Sequence, residues 1–321
     1  VPVSLVKGKT LLQLLCEKTR AASIQAGQPL SIAIMTSPLN HEMIVDYLEM
    51  HGRFGLESTQ ISYFMQGQLP FLDDKGHWLW EASGKIAQGP DGNGHALSNF
   101  YHSGIWRQWK EKGIEYVNHV LIDNPLADPF DPALVAAHVE SDVEVTLKCV
   151  PRKDSLEKVG VVGLEEGRIT VVEYSDLPDQ EKMLSHWHVA NISLFCFSMD
   201  FIAKAVNAFL PWHLVRKGGL WKFETFIFDV LKYTNRTKVL LYPREDTYAP
   251  LKNALGDFSL DTVRSALFAA DKKAYERVSG YIAPEIPFEL DAVFHYPTPE
   301  LFEAWKGKEL PRTDYIENLV K

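Results

Sequence analysis

The chain has 321 residues, of which 46% are hydrophobic and 23% are charged, a composition that predicts a globular protein with one large core. Its formal net charge of −9 argues against a protein that coats nucleic acid, because such proteins bind through lysines and arginines that neutralise phosphates. No apolar run is long enough to span a bilayer, so neither a nucleic acid nor a membrane is expected as a partner.

The first part of the chain alternates helical and extended patterns of apolar residues. In chain order it predicts a helix at 10–26, a strand at 30–37, a helix at 40–50, a strand at 61–65, an aromatic-rich helix at 94–113 and a strand at 116–122. Asn40 is expected to cap the second of these helices, and Gly52 to end it.

The second part continues the alternation. It predicts a helix at 132–138, strands at 143–150, 169–174 and 189–197, helices at 200–209 and 223–233, a strand at 238–242 and a long helix at 261–278. Strands separated by helices are typical of βαβ units. We therefore predict an α/β fold with a Rossmann-like mixed, mostly parallel sheet flanked by helices.

The composition changes after Gly280. Five prolines separate short segments there, and one helix is predicted at 299–305. We therefore expect a core at residues 1–280 and a small C-terminal extension at 281–321.

Three cysteines, Cys16, Cys149 and Cys196, stand far apart among apolar residues. Buried free thiols are expected, and these are typical of the reducing cytoplasm. His186 and His188, on either side of Trp187, would share one face of a strand, but no third zinc ligand is suggested by the spacing.

Three polar motifs predict a ligand site. A Gly-Asn-Gly loop at 92–94 can bring backbone N–H groups close to a flat polar ligand. The apolar run at 120–122 leads into Asp123-Asn124, which would place a carboxylate at the sheet edge where α/β folds bind ligands. Lys252, in a polar loop, can reach phosphate as a point charge. Together they indicate a site for a nucleotide, a divalent metal and phosphates.

These motifs belong to a longer series of runs through which the chain resembles the UDP-sugar pyrophosphorylases, the group that includes UDP-N-acetylglucosamine and UDP-glucose pyrophosphorylases. The series comprises the runs at 9–13, 34–37, 54–56, 64–70 (Phe-Met-Gln-Gly-Gln-Leu-Pro), 90–95 (Pro-Asp-Gly-Asn-Gly-His), 123–129, 159–162, 172–175, 190–192, 226–229, 244–246 and 249–254 (Ala-Pro-Leu-Lys-Asn-Ala). Any single run is weak, but their order and spacing together are specific.

The resemblance implies a fold of the nucleotide-diphospho-sugar transferase type and a uridylyltransferase activity. Such enzymes convert UTP and a sugar 1-phosphate into a UDP-sugar and pyrophosphate, with Mg²⁺. N-acetylglucosamine 1-phosphate is the expected sugar substrate, with glucose 1-phosphate next. The oligomeric state stays open.

The resemblance also implies roles for individual residues. Gln66, Gly92 and Asn93 would hold the nucleotide, Gly160, Glu173, Asn191, Phe226 and Phe228 would line the sugar pocket, and Asp123 and Lys252 would be catalytic. Asp123 would also ligate the metal, with Asp91 as a second acidic contact.

The chain departs from the family pattern in one respect. A glycine-rich loop of the form G-G-x-G-T-R-L-G, followed by Pro-Lys-Gly, normally precedes the point that matches Val1, and neither motif is present. We therefore expect a fragment of a longer protein, inactive or nearly so by itself. The strand that leads into that loop is normally central, so a gap is expected between neighbouring strands, with unpaired backbone.

Simpler interpretations exist for each residue taken alone. The glycines at 92 and 94 are compatible with a tight turn, Asp123-Asn124 with a turn after a strand, Lys252 and Glu173 with solvated side chains, and the two phenylalanines with core packing. For the protein as a whole, the alternatives are a non-catalytic UDP-sugar-binding or scaffold protein and a UDP-sugar-dependent glycosyltransferase.

Overall fold

The computed structural model describes residues 1–177 and 188–317. Of the two histidines considered above as a zinc pair, His186 lies outside the described residues, as does Trp187. The helices are α1 (Leu11–Ala26), α2 (His41–Met50), α3 (Ala96–His102), α4 (Ile105–Glu111), α5 (Pro132–Glu140), α6 (Met199–Ala205), α7 (Arg244–Thr247), α8 (Leu260–Ser279) and α9 (Pro299–Trp305).

The strands are β1 (Ile32–Thr36), β2 (Ile61–Met65), β3 (Gln68–Pro70), β4 (Gln88–Pro90), β5 (Tyr116–His119), β6 (Val145–Pro151), β7 (Val161–Glu165), β8 (Arg168–Val172), β9 (Val189–Ser198), β10 (His213–Lys217), β11 (Leu220–Glu224), β12 (Thr237–Leu241), β13 (Glu289–Leu290) and β14 (Tyr315–Ile316).

A six-stranded sheet forms the centre of the molecule, in the order β12-β6-β9-β7-β8, and β5 pairs with the C-terminal half of β9. Within this sheet β12 and β6 are parallel, whereas β9 runs antiparallel to β5, β6 and β7. The α/β class and the mixed sheet are confirmed, and the description as mostly parallel fits loosely. The departure arises because β9 is antiparallel to β5, β6 and β7, and because β7 and β8 form a hairpin, which needs antiparallel neighbours.

Two predicted helices differ from the structure. The helix at 94–113 is broken at Gly104, where a φ of +83° separates α3 from α4. The single helix at 223–233 is wrong. Residues 213–224 form the β10–β11 hairpin through the positive-φ pair Gly218-Gly219, and a 3₁₀ helix follows at Ile227–Tyr233. An extended Phe226 lies between the two, so helical periodicity alone misled the prediction.

The main core lies between the sheet and the helices α3, α4 and α6, and includes Phe195, Phe197 and Phe201 in a stacked row. A second core joins α1 and α8 to the C-terminal residues through Tyr275, Phe294 and Trp305. The segment after Gly280 therefore packs against these helices, while the domain boundary at that glycine stays a prediction.

The gap expected between neighbouring strands is present. In the parts of the chain that the structure describes, β1 pairs with β2 and β5 pairs with β9, and neither has a partner along its other edge. A largely apolar cavity of about 1190 Å³ is lined by residues of both strands together with α1 and α3. Exposed strand edges of this kind leave N–H and C=O groups free to pair.

Across the described ranges, no helix combines the length and the apolar character that crossing a membrane requires.

Candidate active site

The glycine loop at 91–94 is docked against the extended chain that follows β11. The N–H of Gly94 donates to the carbonyl of Thr225 at 2.9 Å, and the N–H of Thr225 donates to the carbonyl of Asp91 at 2.8 Å. Gly92 has a φ of +92°, and a Cβ built on it would lie only 2.3 Å from the Thr225 carbonyl oxygen. Glycine is therefore required here both by the backbone angle and by close approach of the two chains.

Replacing Gly92 by alanine tests this docking. We expect Gly92→Ala to destabilise the protein by ~1–3 kcal/mol more than Gly104→Ala, which is the usual cost of overpacking. Gly104 is a matched control because its φ of +83° imposes a similar strain, while a Cβ there would meet no atom within 4 Å. Urea unfolding followed by circular dichroism measures the difference, and equal destabilisation by the two variants would contradict the tight docking.

The nucleotide residues predicted from the sequence lie on neighbouring loops. Gln66 follows β2, and its N–H donates to the Thr36 carbonyl at 2.8 Å. The next residue, Gly67, accepts the N–H of Asp91 at 3.2 Å, which joins the Gln66 loop to the glycine loop. The Asn93 side chain accepts the N–H of Ile227 at 3.0 Å, so this amide anchors the loop as well as facing the large cavity.

Asp91 lies on the inner side of the same loop and is only 7% exposed. One of its carboxylate oxygens lies 3.6 Å from His95 Nδ1, and the other, Oδ1, is buried without a hydrogen-bond partner. Within the described part of the chain, no group of three or more histidine, cysteine or acidic side chains is arranged to enclose a metal ion. The role of Asp91 as a metal contact stays a prediction.

Asp123 lies in a loop four residues past the end of β5, rather than directly at a strand end as predicted. Its carboxylate Oδ2 is 4.0 Å from Lys252 Nζ, and the two side chains are 32% and 47% exposed respectively. The motifs at 123–124 and 249–254, which are distant in sequence, therefore meet in one place.

The buried side chain of Asn124 fixes these two loops to each other. Its Nδ2 donates to the carbonyl of Thr247 at 2.8 Å, and its Oδ1 accepts the N–H of Ala249 at 3.0 Å. A third bond runs from the N–H of Leu251 to the carbonyl of Asp123 at 2.8 Å. These bonds hold the backbones of the two loops together, and so bring Asp123 and Lys252 close to each other.

The electrostatics of Asp123 differ from those of an ordinary surface ion pair. Burial raises the pKa of its carboxyl, and the neighbouring Lys252 offsets this only in part. Its Oδ1 is buried and has no hydrogen-bond partner. A partly desolvated carboxylate with an unsatisfied oxygen is suited to a cation.

The predicted sugar-pocket residues converge around the start of β9. Gly160 accepts the N–H of Asn191 at 2.8 Å, and a Cβ on Gly160 would lie 3.1 Å from Glu173 Oε1, so glycine makes room for that carboxyl. The Asn191 Oδ1 accepts the N–H of Ser193 at 3.1 Å, beside an irregularity in the β6–β9 register. Bulges of this kind often re-aim side chains next to active sites.

Three aromatic rings pack together beside the segment that docks on the glycine loop. Phe226 and Phe228 stack with ring centroids 5.2 Å apart, and His213 packs against Phe226 at 4.7 Å. Phe228 is also buried in the main core, as the simpler interpretation of the sequence suggested. His213 was missed, because a histidine in a strand carries no spacing signal that marks it as part of a site.

The Asp123–Lys252 pair and the predicted sugar-pocket residues share one electrostatic environment. Burial raises the pKa of Glu173, Asp176 adds to this rise, and His213 and Lys252 oppose it. Lys252 therefore acts on both Asp123 and Glu173. The glycine loop reaches the same region through Thr225 and Ile227, which flank Phe226. The structure thus brings the predicted site residues together, while their individual roles stay predictions.

Known proteins share sequence and fold with this chain. The family model described as UTP–glucose-1-phosphate uridylyltransferase matches residues 2–277. The chain is 31% identical over 296 residues to UDP-N-acetylglucosamine diphosphorylase 2 of Arabidopsis thaliana, covering 82% of this chain and 59% of that protein. It is 32% identical over 295 residues to UDP-N-acetylglucosamine diphosphorylase 1 of the same plant, covering 82% and 58% of the two chains.

A solved structure shares the fold. It is that of the uridine diphosphate N-acetylglucosamine pyrophosphorylase from Trypanosoma brucei in complex with an inhibitor, with a TM-score of 0.79 at 22% identity, over 98% of this chain and 73% of that one. The chain spans less than two thirds of the length of the two Arabidopsis proteins.

Proposed function

The chain belongs to the UTP–glucose-1-phosphate uridylyltransferase family, and from this premise we propose that it carries the uridine and sugar subsites of an enzyme that makes a UDP-sugar and pyrophosphate from UTP and a sugar 1-phosphate. The observation that carries the proposal is the meeting of Asp123 and Lys252 in a region that also contains the partly buried Glu173 and the stacked rings of Phe226 and Phe228.

This arrangement suits transfer of a uridylyl group. A phosphate oxygen of the sugar 1-phosphate attacks the α-phosphorus of UTP in line, the new P–O bond forms, and pyrophosphate leaves. Such transfer needs positioning and neutralisation of charge more than covalent help from the protein. Lys252 would bind phosphate and offset negative charge that develops in the transition state, while Glu173 and Asn191 would orient the sugar.

We propose Mg²⁺ as the cofactor, held by Asp123 with Asp91 as a second acidic contact. Magnesium is often bound by one or two carboxylates, substrate phosphates and water rather than by a complete protein cage. The unsatisfied Oδ1 of Asp123 fits that requirement. When bound, the ion would supply positive charge to the phosphates.

N-acetylglucosamine 1-phosphate is the proposed sugar substrate, with glucose 1-phosphate second. The names of the two Arabidopsis relatives support this order, as does the run at 190–192. The two sugars differ by one acetamido group, and a few pocket side chains can change the preference between them.

We propose a cytoplasmic location, supported by the free and buried state of Cys16, Cys149 and Cys196.

Two assays test the proposed function. In the first, UDP-N-acetylglucosamine, UDP-glucose and UDP are titrated into the protein by calorimetry, and we expect the first to bind most tightly. In the second, pyrophosphate release is measured with UTP and each sugar 1-phosphate in a form of the protein that also carries the glycine-rich loop. Tight UDP-sugar binding without release would favour the scaffold alternative, and transfer to an acceptor sugar would favour the glycosyltransferase.

A further inference from the structure

We propose that Lys222 is a positioning residue of the nucleotide subsite, whose buried ammonium group holds the carbonyl of Pro90 and thereby fixes the glycine loop at 91–94 in the shape that receives a uridine nucleotide. The inference rests on the proposed function, which places the nucleotide beside Gly92 and Asn93. Lys222 belongs to none of the motifs through which the site was found, and it acts through the loop rather than through the ligand.

The contacts of Lys222 are those of a buried cation between two fixed acceptors. Lys222 lies on β11 and is only 4% exposed. Its Nζ donates to the carbonyl oxygen of Pro90 at 2.8 Å and lies 2.6 Å from Oε1 of Glu224. Because side chains two residues apart point to the same face of a strand, β11 itself places the carboxylate of Glu224 beside the amine. The donor to Pro90 is therefore charged, and charged donors make stronger hydrogen bonds than neutral ones.

Burial distinguishes this lysine from the ion pairs on the surface. The side chains of Lys222 and Glu224 are 5% and 15% exposed, whereas those of the surface pair Lys110 and Asp200 are 39% and 75% exposed. An exposed pair contributes little and holds neither side chain firmly, but a buried charge without its partner is strongly destabilising. The amine of Lys222 is therefore confined to the position from which it bonds to Pro90.

The chain at the end of β11 holds the start of the glycine loop at two consecutive carbonyls. Pro90 is the last residue of β4 and directly precedes the loop, and its carbonyl accepts the bond from Lys222. The carbonyl of the next residue, Asp91, accepts the N–H of Thr225 at 2.8 Å. Without the first of these anchors the loop would be looser, and it would have to be ordered when the nucleotide binds. The cost of that ordering lowers affinity.

The test removes the amine without leaving a lone charge. Lys222→Met keeps the length of the side chain but loses the donor, and adding Glu224→Gln removes the carboxylate that would otherwise be buried without its partner. Lys222→Arg keeps both the charge and the donors. The matched control is Lys148→Met/Asp131→Asn, because that pair is also buried, with side chains 7% and 9% exposed, and its charged atoms are also 2.6 Å apart. It joins β6 to the residue that caps α5, outside the glycine loop and β11.

Three quantities are measured in each form. The first is hydrogen exchange of the amides at 91–94 in the free and the UDP-bound protein, and the second is the melting temperature. The third is the pair of dissociation constants for UDP and UDP-N-acetylglucosamine, obtained by calorimetry. Because the two ligands share the nucleotide, a defect in the nucleotide subsite weakens both by the same factor.

For Lys222→Met/Glu224→Gln we expect the affinities for UDP and UDP-N-acetylglucosamine to fall together by about tenfold, the order expected for the loss of one hydrogen bond from a charged group. Exchange at 91–94 should become faster in the free protein and slow again when UDP is bound. Lys222→Arg should keep most of the affinity. The control should change the melting temperature alone, with wild-type affinities and wild-type exchange in the loop.

Several results would overturn the inference. Unchanged affinities or unchanged loop exchange in Lys222→Met/Glu224→Gln would overturn it alone, and so would an equal loss of affinity in the control. A loss confined to UDP-N-acetylglucosamine would overturn it as well, because the effect would then lie in the sugar pocket. A wild-type protein that binds neither ligand would overturn the proposed function, and this inference with it.

Discussion

In a form of the protein that also carries the glycine-rich loop, replacing Asp123 by asparagine should lower uridylyl transfer by at least about 100-fold, a loss typical of removing one preorganised electrostatic group from an active site. The substitution keeps the size of the side chain and removes the charge that would hold the metal ion. It should leave folding intact, because burial raises the pKa of this carboxyl and its Oδ1 has no partner, so the charged form is not well stabilised by the protein.

Asp200→Asn is the matched control. Asp200 pairs with Lys110 at 2.7 Å on an exposed surface, so the same chemical change is made to a lysine-paired aspartate outside the site. Initial rates of pyrophosphate release across a Mg²⁺ series, together with melting temperatures, give both readouts. Near-normal rates at saturating Mg²⁺ in Asp123→Asn would contradict the assignment of this residue as metal ligand.

Removing the amine of Lys252 should produce the second large effect. In the same loop-containing form of the protein, we expect Lys252→Ala to reduce kcat by about 100- to 1000-fold while the KM for UTP changes little, because phosphate charge grows in the transition state at a distance from the base. The 4.0 Å approach to Asp123 places the amine beside the proposed metal and phosphates. Lys252→Arg, which keeps the charge with a different shape, should recover part of the rate.

The matched control for this lysine is Lys110→Ala, which removes the amine of the exposed Lys110–Asp200 pair. It should leave kcat and KM unchanged. A Lys252→Ala protein whose KM for UTP rises while kcat is preserved would instead place Lys252 in ground-state binding and contradict its proposed part in the reaction.

Much of the fold follows from local patterns that the sequence contains. The helix at 10–26, the strand at 61–65 and the helix at 299–305 were predicted within one residue of α1, β2 and α9, because each has a strong apolar period and a clear start or stop. Thr10 illustrates the mechanism, since its side chain accepts the N–H of Gln13 at the start of α1.

The incorrect predictions of secondary structure have physical causes that lie beyond local patterns. The break at Gly104 depends on a left-handed backbone angle inside an aromatic-rich run that was predicted as one helix, and the extended Phe226 is held by pairing of Thr225 with the glycine loop. The β3–β4 pair and the β10–β11 hairpin were also not predicted, because brief strands carry little periodicity.

The site was predictable to the extent that motif order identified it. The sequence predicts Asp123, Lys252 and Glu173 as site residues; Lys252 lies 4.0 Å from Asp123 and also influences the charge of Glu173, while the roles of all three stay predictions. The contacts of His213 with Asp176 and Asp229 could not be predicted, because only the folded chain brings these residues together.

The Asn124 amide has a consequence for how the molecule moves. Because it bonds to both loops, thermal fluctuations should displace the acidic and basic groups together rather than apart. Loops that are already held together would need little rearrangement when a substrate arrives, so we expect most of the ordering of these two loops to be completed during folding.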